Sequence, residues 1–236
     1  MVVKLLLQNT FFVIAMGALL FASAGTLHWP GAWVYLATSA ILGPVFGLWL
    51  ARTDPGLLAE RMRLTAREEQ PAADKKFMLV LVAVVVIWLV AMGIEQRGRG
   101  LNLALNLALN LALAFPLLLQ VLGLAMYLLS MLSIMWVFRE NSFAAPVVKV
   151  QTERHHHVVS TGPYAFVRHP MYSGIILFFV GVPLLLGSTW GLMFAPLFLL
   201  LFAIRIRIEE RALTAGLPGY ADYTAQVRYR LVPGIW

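Results

Sequence analysis

The most polar and turn-rich block of this sequence spans residues 155–174 and reads HHHVVSTGPYAFVRHPMYSG. Gly162-Pro163 is a strong turn signal, and His169-Pro170 forces an extended or turn dipeptide directly before a long apolar run. Histidine, tyrosine and arginine side chains are therefore placed directly before the start of an apolar segment. Irregular polar backbone in such a place is tolerated only where protein or a water-filled cavity covers it. The block is therefore predicted to form a site for chemistry.

A second polar group, RIRIEER, occupies residues 205–211. On a helix, Arg205 and Glu209 share one face, as do Arg207 and Arg211. A basic cluster beside a membrane often contacts lipid phosphates, which suits the second pair. It leaves the adjacent acids unexplained, because a membrane surface is itself negative. We therefore place this group beside the first block, in one polar pocket at the membrane boundary.

Composition restricts the class of protein. Hydrophobic residues make up 61% of the chain and charged residues only 12%, whereas a soluble domain has about 25% charged residues. The absence of cysteine excludes disulfides, thiolate metal sites and cysteine nucleophiles. The net charge is +7, and the basic residues lie in short loops between apolar runs. This pattern indicates contact with anionic lipid and not a nucleic-acid partner.

Several other chemistries fit the sequence poorly. His155, His156 and His157 are adjacent and point in different directions, whereas ligand pairs on a helix need i, i+4 spacing, so we predict no metal site. The predicted spans have no ionisable residue at their centres, which argues against an ion or solute carrier. The sequence also has no serine in a nucleophile-elbow context and no GxGxxG motif.

The apolar runs predict an all-α integral membrane protein with about six membrane helices, including a C-terminal helix-turn-helix hairpin. The first four spans are predicted at residues 5–27, 31–51, 77–94 and 116–138, with the hairpin at 171–204. The first run is read as a retained helix and not as a cleaved signal. The hairpin is predicted because its run is too long for one crossing and is broken at Gly187-Ser188-Thr189.

Two connecting stretches are open to more than one interpretation. Residues 52–76 favour a short amphipathic helix on the membrane surface, with a lid over a lipid-facing site as the alternative. The sequence LNLA occurs three times in residues 101–112, where its asparagines would form one polar stripe on a helix. This stripe could form hydrogen bonds between helices, but we favour the interpretation that the repeat arose by low-complexity drift and has no chemical role.

The distribution of charge predicts the topology. With six crossings, 16 of the 18 lysines and arginines lie on one side of the membrane, and only Arg97 and Arg99 lie on the other. Such a split is expected from the positive-inside rule. Both termini and the polar pocket are therefore predicted to be cytoplasmic.

GPYAFVRHPMYSG, followed by an apolar hairpin, R-x-x-x-EE-x-x-L, GYADY and a VP-containing end, resembles the isoprenylcysteine carboxyl methyltransferase family. The wider group includes membrane phospholipid N-methyltransferases. The resemblance covers roughly residues 147–236, while the N-terminal spans match only in hydropathy. We accordingly divide the chain into N-terminal transmembrane helices, about four spans over residues 1–138, and a C-terminal catalytic region, residues 139–236.

The resemblance implies a methyltransferase that uses S-adenosylmethionine, bound between the polar block and the returning helix of the hairpin. A lipophilic or lipidated acceptor would enter from the bilayer, with membrane lipids as the other partners. We expect carboxyl O-methylation of an isoprenylcysteine-like substrate. The alternatives are N-methylation of a phospholipid of the phosphatidylethanolamine type, or a non-enzymatic membrane scaffold.

The resemblance also implies roles for individual residues. Arg205 matches the arginine that holds the acceptor carboxylate, although a simple i, i+4 pair with Glu209 is the alternative. Glu209 can pair with the ammonium group of the donor, and tyrosine rings can pack against its adenosine or sulfonium. The donor-binding residues implied are Lys149, Gln151, His156, His157, Val158, Val159, Tyr164, His169, Pro170, Met171, Tyr172 and Glu209.

Overall fold

The structure is a computed structural model, which describes residues 2–62, 70–101 and 117–236. The regular secondary structure of these residues is helical, as predicted. The helices are α1 (Val2–Ala24), α2 (Pro30–Thr53), α3 (Pro55–Arg61), α4 (Ala72–Leu101), α5 (Leu117–Glu140), α6 (Pro170–Leu186), α7 (Thr189–Met193), α8 (Ala195–Gly216) and α9 (Tyr220–Gln226). Two 3-10 turns, Thr152–Arg154 and Gly162–Ala165, lie in the segment between α5 and α6.

Five helical stretches of this described part are long and apolar enough to cross a bilayer, so the chain is a multi-pass membrane protein. They are α1, α2, the first 27 residues of α4, α5, and α7 together with α8. The sixth predicted crossing, α6, is apolar but has only 17 residues. At 1.5 Å per residue it is about 26 Å long, less than the roughly 30 Å of a bilayer core.

Helices α6 and α8 form the predicted antiparallel hairpin. Gly187 ends α6 with φ 69°, a left-handed conformation that glycine adopts without steric cost. Phe179 of α6 stacks on Phe198 of α8 with ring centroids 3.6 Å apart. One end of the pair is fixed by a hydrogen bond of 2.9 Å from Arg205 Nε to Tyr172 Oη. The hairpin therefore returns Arg205 to the beginning of α6, next to the polar block.

Helix α5 packs against α6 through glycines, which lets the two backbones approach closely. A Cβ atom at Gly123 would lie 2.3 Å from the backbone nitrogen of Leu185. A Cβ atom at Gly181 would lie 2.8 Å from the backbone nitrogen of Tyr127. This antiparallel contact brings the end of α5 next to the beginning of α6, so the connecting segment 141–169 lies over one end of the bundle.

We expect Gly123→Ala to lower the melting temperature in detergent, because overpacking against a backbone costs about 1–3 kcal/mol. Gly98→Ala is the matched control, since a Cβ atom there meets no atom within 4 Å. Alanine is also about 1 kcal/mol better than glycine inside a helix, so the control should melt at the same temperature or higher. Equal melting temperatures for the two variants would contradict the close packing of α5 on α6.

The short helix α3 lies in the stretch where a short amphipathic helix was predicted, and its buried residues are Leu57, Leu58 and Glu60. Its place on the membrane surface stays a prediction. Asp54 caps it by accepting a hydrogen bond of 2.8 Å from the backbone nitrogen of Leu57. Leu57, Leu58 and Met62 are buried in a cluster with Leu50 of α2. The apolar side of α3 therefore packs on the protein. The LNLA repeat, apart from Leu101, and the predicted break at Pro116 lie outside the described residues.

The orientation of the bundle remains a prediction from the charge distribution. Topology reporters fused at residue 4 and at residue 236 are expected to label the same, cytoplasmic face. Labelling of opposite faces would mean an odd number of crossings and would contradict it.

Candidate active site

A polar pocket lies where segment 141–172 meets the ends of α8 and α9. Ten of the twelve predicted donor-binding residues line it: Lys149, His156, His157, Val158, Val159, Tyr164, His169, Met171, Tyr172 and Glu209. The structure thus brings together residues that are up to 60 positions apart in the sequence. Whether they bind a donor remains a prediction.

The other two residues lie outside the lining of this pocket. Gln151 is fully buried, and its Nε2 donates to the carbonyl of Phe143 at 2.8 Å. Its Oε1 accepts from Arg154 Nη1, also at 2.8 Å. Pro170 is the first residue of α6, where its fixed φ suits a helix start. In this structure both residues shape the backbone that carries the pocket.

The three histidines differ in their surroundings. His155 has a φ of 53°, the left-handed conformation, and ends the 3-10 turn Thr152–Arg154. His156 stacks on Phe143, with centroids 4.3 Å apart. Burial, followed by the nearby His157 and Arg154, lowers the pKa of His156 to about 4. At neutral pH His156 therefore offers the pocket an uncharged ring.

Tyr164 is held from two directions. Asn141 at the end of α5 donates to Tyr164 Oη at 2.7 Å, and Tyr223 Oη of α9 donates to its carbonyl at 2.8 Å. The turn before Tyr164 requires glycine, since Gly162 has a φ of 57° and an added Cβ would lie 2.5 Å from Glu140. Burial raises the pKa of Tyr164, so it stays a neutral phenol.

The pocket also contains residues that were not among the predicted donor-binding residues. They are Asn141, Phe143, Ala144, Ala145, Val147, Val148, Arg168, Leu213, Leu217, Tyr220 and Tyr223. The two tyrosines belong to the GYADY motif and could have been inferred from it. Tyr220 Oη is buried and has no hydrogen-bond partner within the described part of the chain. An unsatisfied buried hydroxyl is costly, and a polar ligand in the pocket would offset that cost.

Glu210, the second acid of the EE pair, has a structural role. It forms ion pairs of 3.0 Å with Arg168 and with Arg230, and its Oε1 lies within hydrogen-bond distance of His169 Nε2, at 3.3 Å. The C-terminal segment is held at the same place, because the His169 backbone nitrogen donates to the Arg230 carbonyl at 2.9 Å. Through these contacts Glu210 connects residues 155–174, α8 and the C-terminal segment, while Glu209 lines the pocket.

Arg205 is only 4% exposed and has several partners. Its Nε donates to Tyr172 Oη, its Nη1 contacts Met78 Sδ at 2.8 Å, and its Nη2 donates to the Pro146 carbonyl. The Asp74 carboxylate lies 3.6 Å from Nη2. The ion-pair partner seen here is thus Asp74, and not Glu209 as the alternative interpretation had it.

Glu209 is connected to Arg205 through Tyr172. Tyr172 Oη donates to Glu209 at 2.5 Å and accepts from Arg205 Nε at 2.9 Å. Substitution of either charged residue therefore changes one of the two hydrogen bonds of Tyr172 Oη.

A second, largely apolar cavity lies between α4, α5, α6 and α8. It shares Met171 and Tyr172 with the polar pocket. Its remaining lining residues are Arg61, Met78, Leu81, Met131, Ile134, Pro146, Ile175, Phe178, Phe179, Phe202 and Arg205. A polar and an apolar compartment therefore meet at the first turn of α6, with the Arg205 guanidinium on the apolar side.

Segment 144–148 separates the two compartments over part of their length. Its alternate residues are anchored by charged side chains: the Ala144 carbonyl accepts from Arg61 at 2.8 Å, and the Pro146 carbonyl accepts from Arg205. The Val148 backbone nitrogen donates to Asp74 at 3.0 Å. The position of segment 144–148 therefore depends partly on Arg61 and Asp74, which belong to the N-terminal half of the chain.

Comparisons with known proteins confirm the resemblance seen in the sequence. The family model of phospholipid methyltransferases matches residues 118–217. Protein-S-isoprenylcysteine O-methyltransferase B of Arabidopsis thaliana is 34% identical over 83 residues, which are 34% of this chain and 42% of that protein. The corresponding enzyme of Saccharomyces cerevisiae is 35% identical over 83 residues, 34% of this chain and 35% of that protein. The matched stretches thus span about two fifths of these relatives.

A solved structure matches nearly the whole chain. It is the eukaryotic intramembrane Ras methyltransferase, isoprenylcysteine carboxyl methyltransferase, with a TM-score of 0.61 and 19% sequence identity. The match covers 96% of this chain and 75% of that one. At this identity the likeness concerns the fold, and it extends to the N-terminal helices, where the sequence matched only in hydropathy.

Proposed function

We propose that this protein is a membrane methyltransferase that transfers a methyl group from S-adenosylmethionine to the carboxylate of an isoprenylcysteine-like lipid. The observation that carries the proposal is the meeting of a polar pocket and an apolar cavity at Met171 and Tyr172. A water-soluble donor and a lipophilic acceptor need two such compartments with one shared boundary. The isoprenylcysteine methyltransferases among the relatives support this substrate class.

The polar pocket fits the donor in chemical terms. Glu209 offers a carboxylate for an ammonium group, and Tyr164 and Tyr220 offer aromatic faces. The unpartnered Tyr220 hydroxyl is available to a polar group of the ligand. S-adenosylmethionine would supply an electrophilic methyl group. We place the pocket at the cytoplasmic face, in line with the predicted topology.

The apolar cavity fits the acceptor. Phe178, Phe179 and Phe202 line it and suit a hydrocarbon chain. Arg205 lies at the boundary with the polar pocket, where its guanidinium can hold a carboxylate. The Met78 thioether is the weakest acceptor among its partners, and it is the contact that a carboxylate would replace.

The reaction requires positioning more than proton transfer. A carboxylate is already ionised at neutral pH, so no residue of the chain has to act as a general base. Arg205 and Tyr172 would orient the acceptor oxygen toward the polar pocket. Segment 144–148 would exclude water from the boundary, because hydrogen bonds and buried apolar side chains hold it in place.

The match to the phospholipid methyltransferase family favours a second candidate, N-methylation of a phosphatidylethanolamine-type lipid. That reaction needs a base to take the ammonium proton. Purified protein in lipid nanodiscs, supplied with labelled donor, should be given a prenylcysteine carboxylate and, separately, phosphatidylethanolamine. We expect label in a base-labile methyl ester of the first. Label only in the phospholipid would favour the second candidate, and label in neither would favour a scaffold.

A further inference from the structure

Arg61, on the short helix α3, lies outside the region matched by the family model and was not among the predicted site residues. Its side chain lines the apolar cavity together with Arg205. It also lines a separate groove between α1, α2 and α3. Arg61 therefore brings a positive charge from α3 to the cavity that we assign to the acceptor.

The contacts of Arg61 leave its charge without an acidic partner in the part of the chain that the structure describes. Its Nη1 donates to the Ala144 carbonyl at 2.8 Å, and its guanidinium lies over Phe138, 4.3 Å from the ring centroid. Both partners are neutral. Arg205, by contrast, has the Asp74 carboxylate 3.6 Å away. Among the described residues Arg205 thus has an acidic partner in contact, whereas Arg61 contacts only neutral groups.

The environment of Arg61 makes this surplus charge costly. Burial, followed by repulsion from Arg205, lowers the pKa of Arg61 to about 10, so the group remains charged at neutral pH. Arg61 is half-buried, and a cation that is partly removed from water without a counter-ion is destabilised, whereas a charge-assisted hydrogen bond to a carboxylate offsets that cost. An anionic ligand in the cavity would supply the missing charge.

We propose that Arg61 is a second anion-binding residue of the acceptor cavity and that it acts with Arg205 on the carboxylate of the lipid. The inference deepens the proposed function and rests on it for the identity of the anion. Two guanidinium groups can satisfy both oxygens of one carboxylate, while Asp74 keeps Arg205 in place. Specificity for an anionic acceptor then depends partly on Arg61 and therefore on the position of α3, which carries it.

The test compares two ligands that differ only in charge: N-acetyl-S-farnesylcysteine and its carboxamide. Acetylation blocks the amine, so the carboxylate is the single charge. Binding of each to the full chain in nanodiscs is measured by calorimetry for wild type, Arg61→Gln and Arg61→Lys. The matched control is Arg52→Gln, an exposed arginine at the end of α2. Melting temperatures show which variants are folded.

We expect Arg61→Gln to weaken binding of the carboxylate by about tenfold to a hundredfold and to change binding of the carboxamide little. Arg61→Lys should keep part of the preference for the carboxylate, and Arg52→Gln should keep all of it. An equal loss for both ligands in Arg61→Gln would mean that the residue only shapes the cavity, and would overturn the proposal. A wild-type protein that binds both ligands equally would overturn it as well.

Failure of the proposed function is distinguishable from these outcomes. If wild type prefers the carboxylate, and this preference depends on Arg61, but no methyl ester forms with labelled donor, then methyl transfer is wrong and the anion site stands. If a methyl ester forms and Arg61→Gln keeps full preference, then the anion site is wrong and methyl transfer stands.

Discussion

Replacing Arg205 by lysine is expected to lower kcat/KM for a prenylcysteine acceptor by roughly tenfold to a hundredfold, with little change in donor affinity. A lysine cannot reproduce the bidentate geometry of a guanidinium on a carboxylate, and a charge-assisted hydrogen bond contributes about 1.5–3 kcal/mol. Lysine still supplies a positive charge opposite the buried Asp74. Donor affinity and the methyl-transfer rate should be measured on the same preparation.

Arg207→Lys is the matched control, because Arg207 is exposed and lies on the same helix. It should leave both quantities unchanged. Arg205→Ala is a poorer test, since it would leave Asp74 as an unpaired buried charge and destabilise the fold by about 3–5 kcal/mol. Loss of donor binding in Arg205→Lys with normal acceptor saturation would contradict the assignment of Arg205 to the acceptor carboxylate.

Replacing Glu209 by alanine is expected to weaken binding of S-adenosylmethionine by about 1.5–3 kcal/mol, roughly tenfold to a hundredfold in Kd. Glu209 lines the polar pocket and is the proposed partner of the donor ammonium group. Since it also accepts the hydrogen bond of Tyr172, Glu209→Gln should retain that contact and lose mainly the charge. Calorimetry on folded, monodisperse protein gives both values.

Asp222→Ala provides the control for the loss of an acid. Asp222 is exposed at the start of α9 and lies outside the lining of the polar pocket. Its removal should leave donor affinity unchanged. If Glu209→Ala binds the donor as tightly as wild type, the donor site lies elsewhere.

Much of the polar pocket could be predicted from the sequence, because its residues belong to short motifs. Gly162-Pro163 and His169-Pro170 mark turns by their backbone restrictions, and these turns bound the block that lines the pocket. The hairpin followed from the length of its apolar run and from the break at Gly187. It placed Arg205 near the start of α6, as the hydrogen bond to Tyr172 shows.

The partners of Arg205 could not be predicted in this way. Asp74 and Arg61 belong to the polar stretch 52–76 of the sequence, and nothing in their spacing relates them to residues more than 130 positions away. Their roles depend on how α3 and α4 pack against the hairpin, which is a matter of tertiary structure. The alternative interpretation, in which Arg205 pairs with Glu209, used only helical periodicity, and it therefore overlooked the Tyr172 hydroxyl that lies between the two.

The central claim is that the polar pocket binds a methyl donor, and calorimetric titration of the wild-type protein with S-adenosylmethionine tests it most directly. We predict saturable binding at one site per chain, which S-adenosylhomocysteine competes for and which Glu209→Ala weakens while Asp222→Ala does not. A folded, monodisperse protein that shows no saturable binding of S-adenosylmethionine would contradict the account.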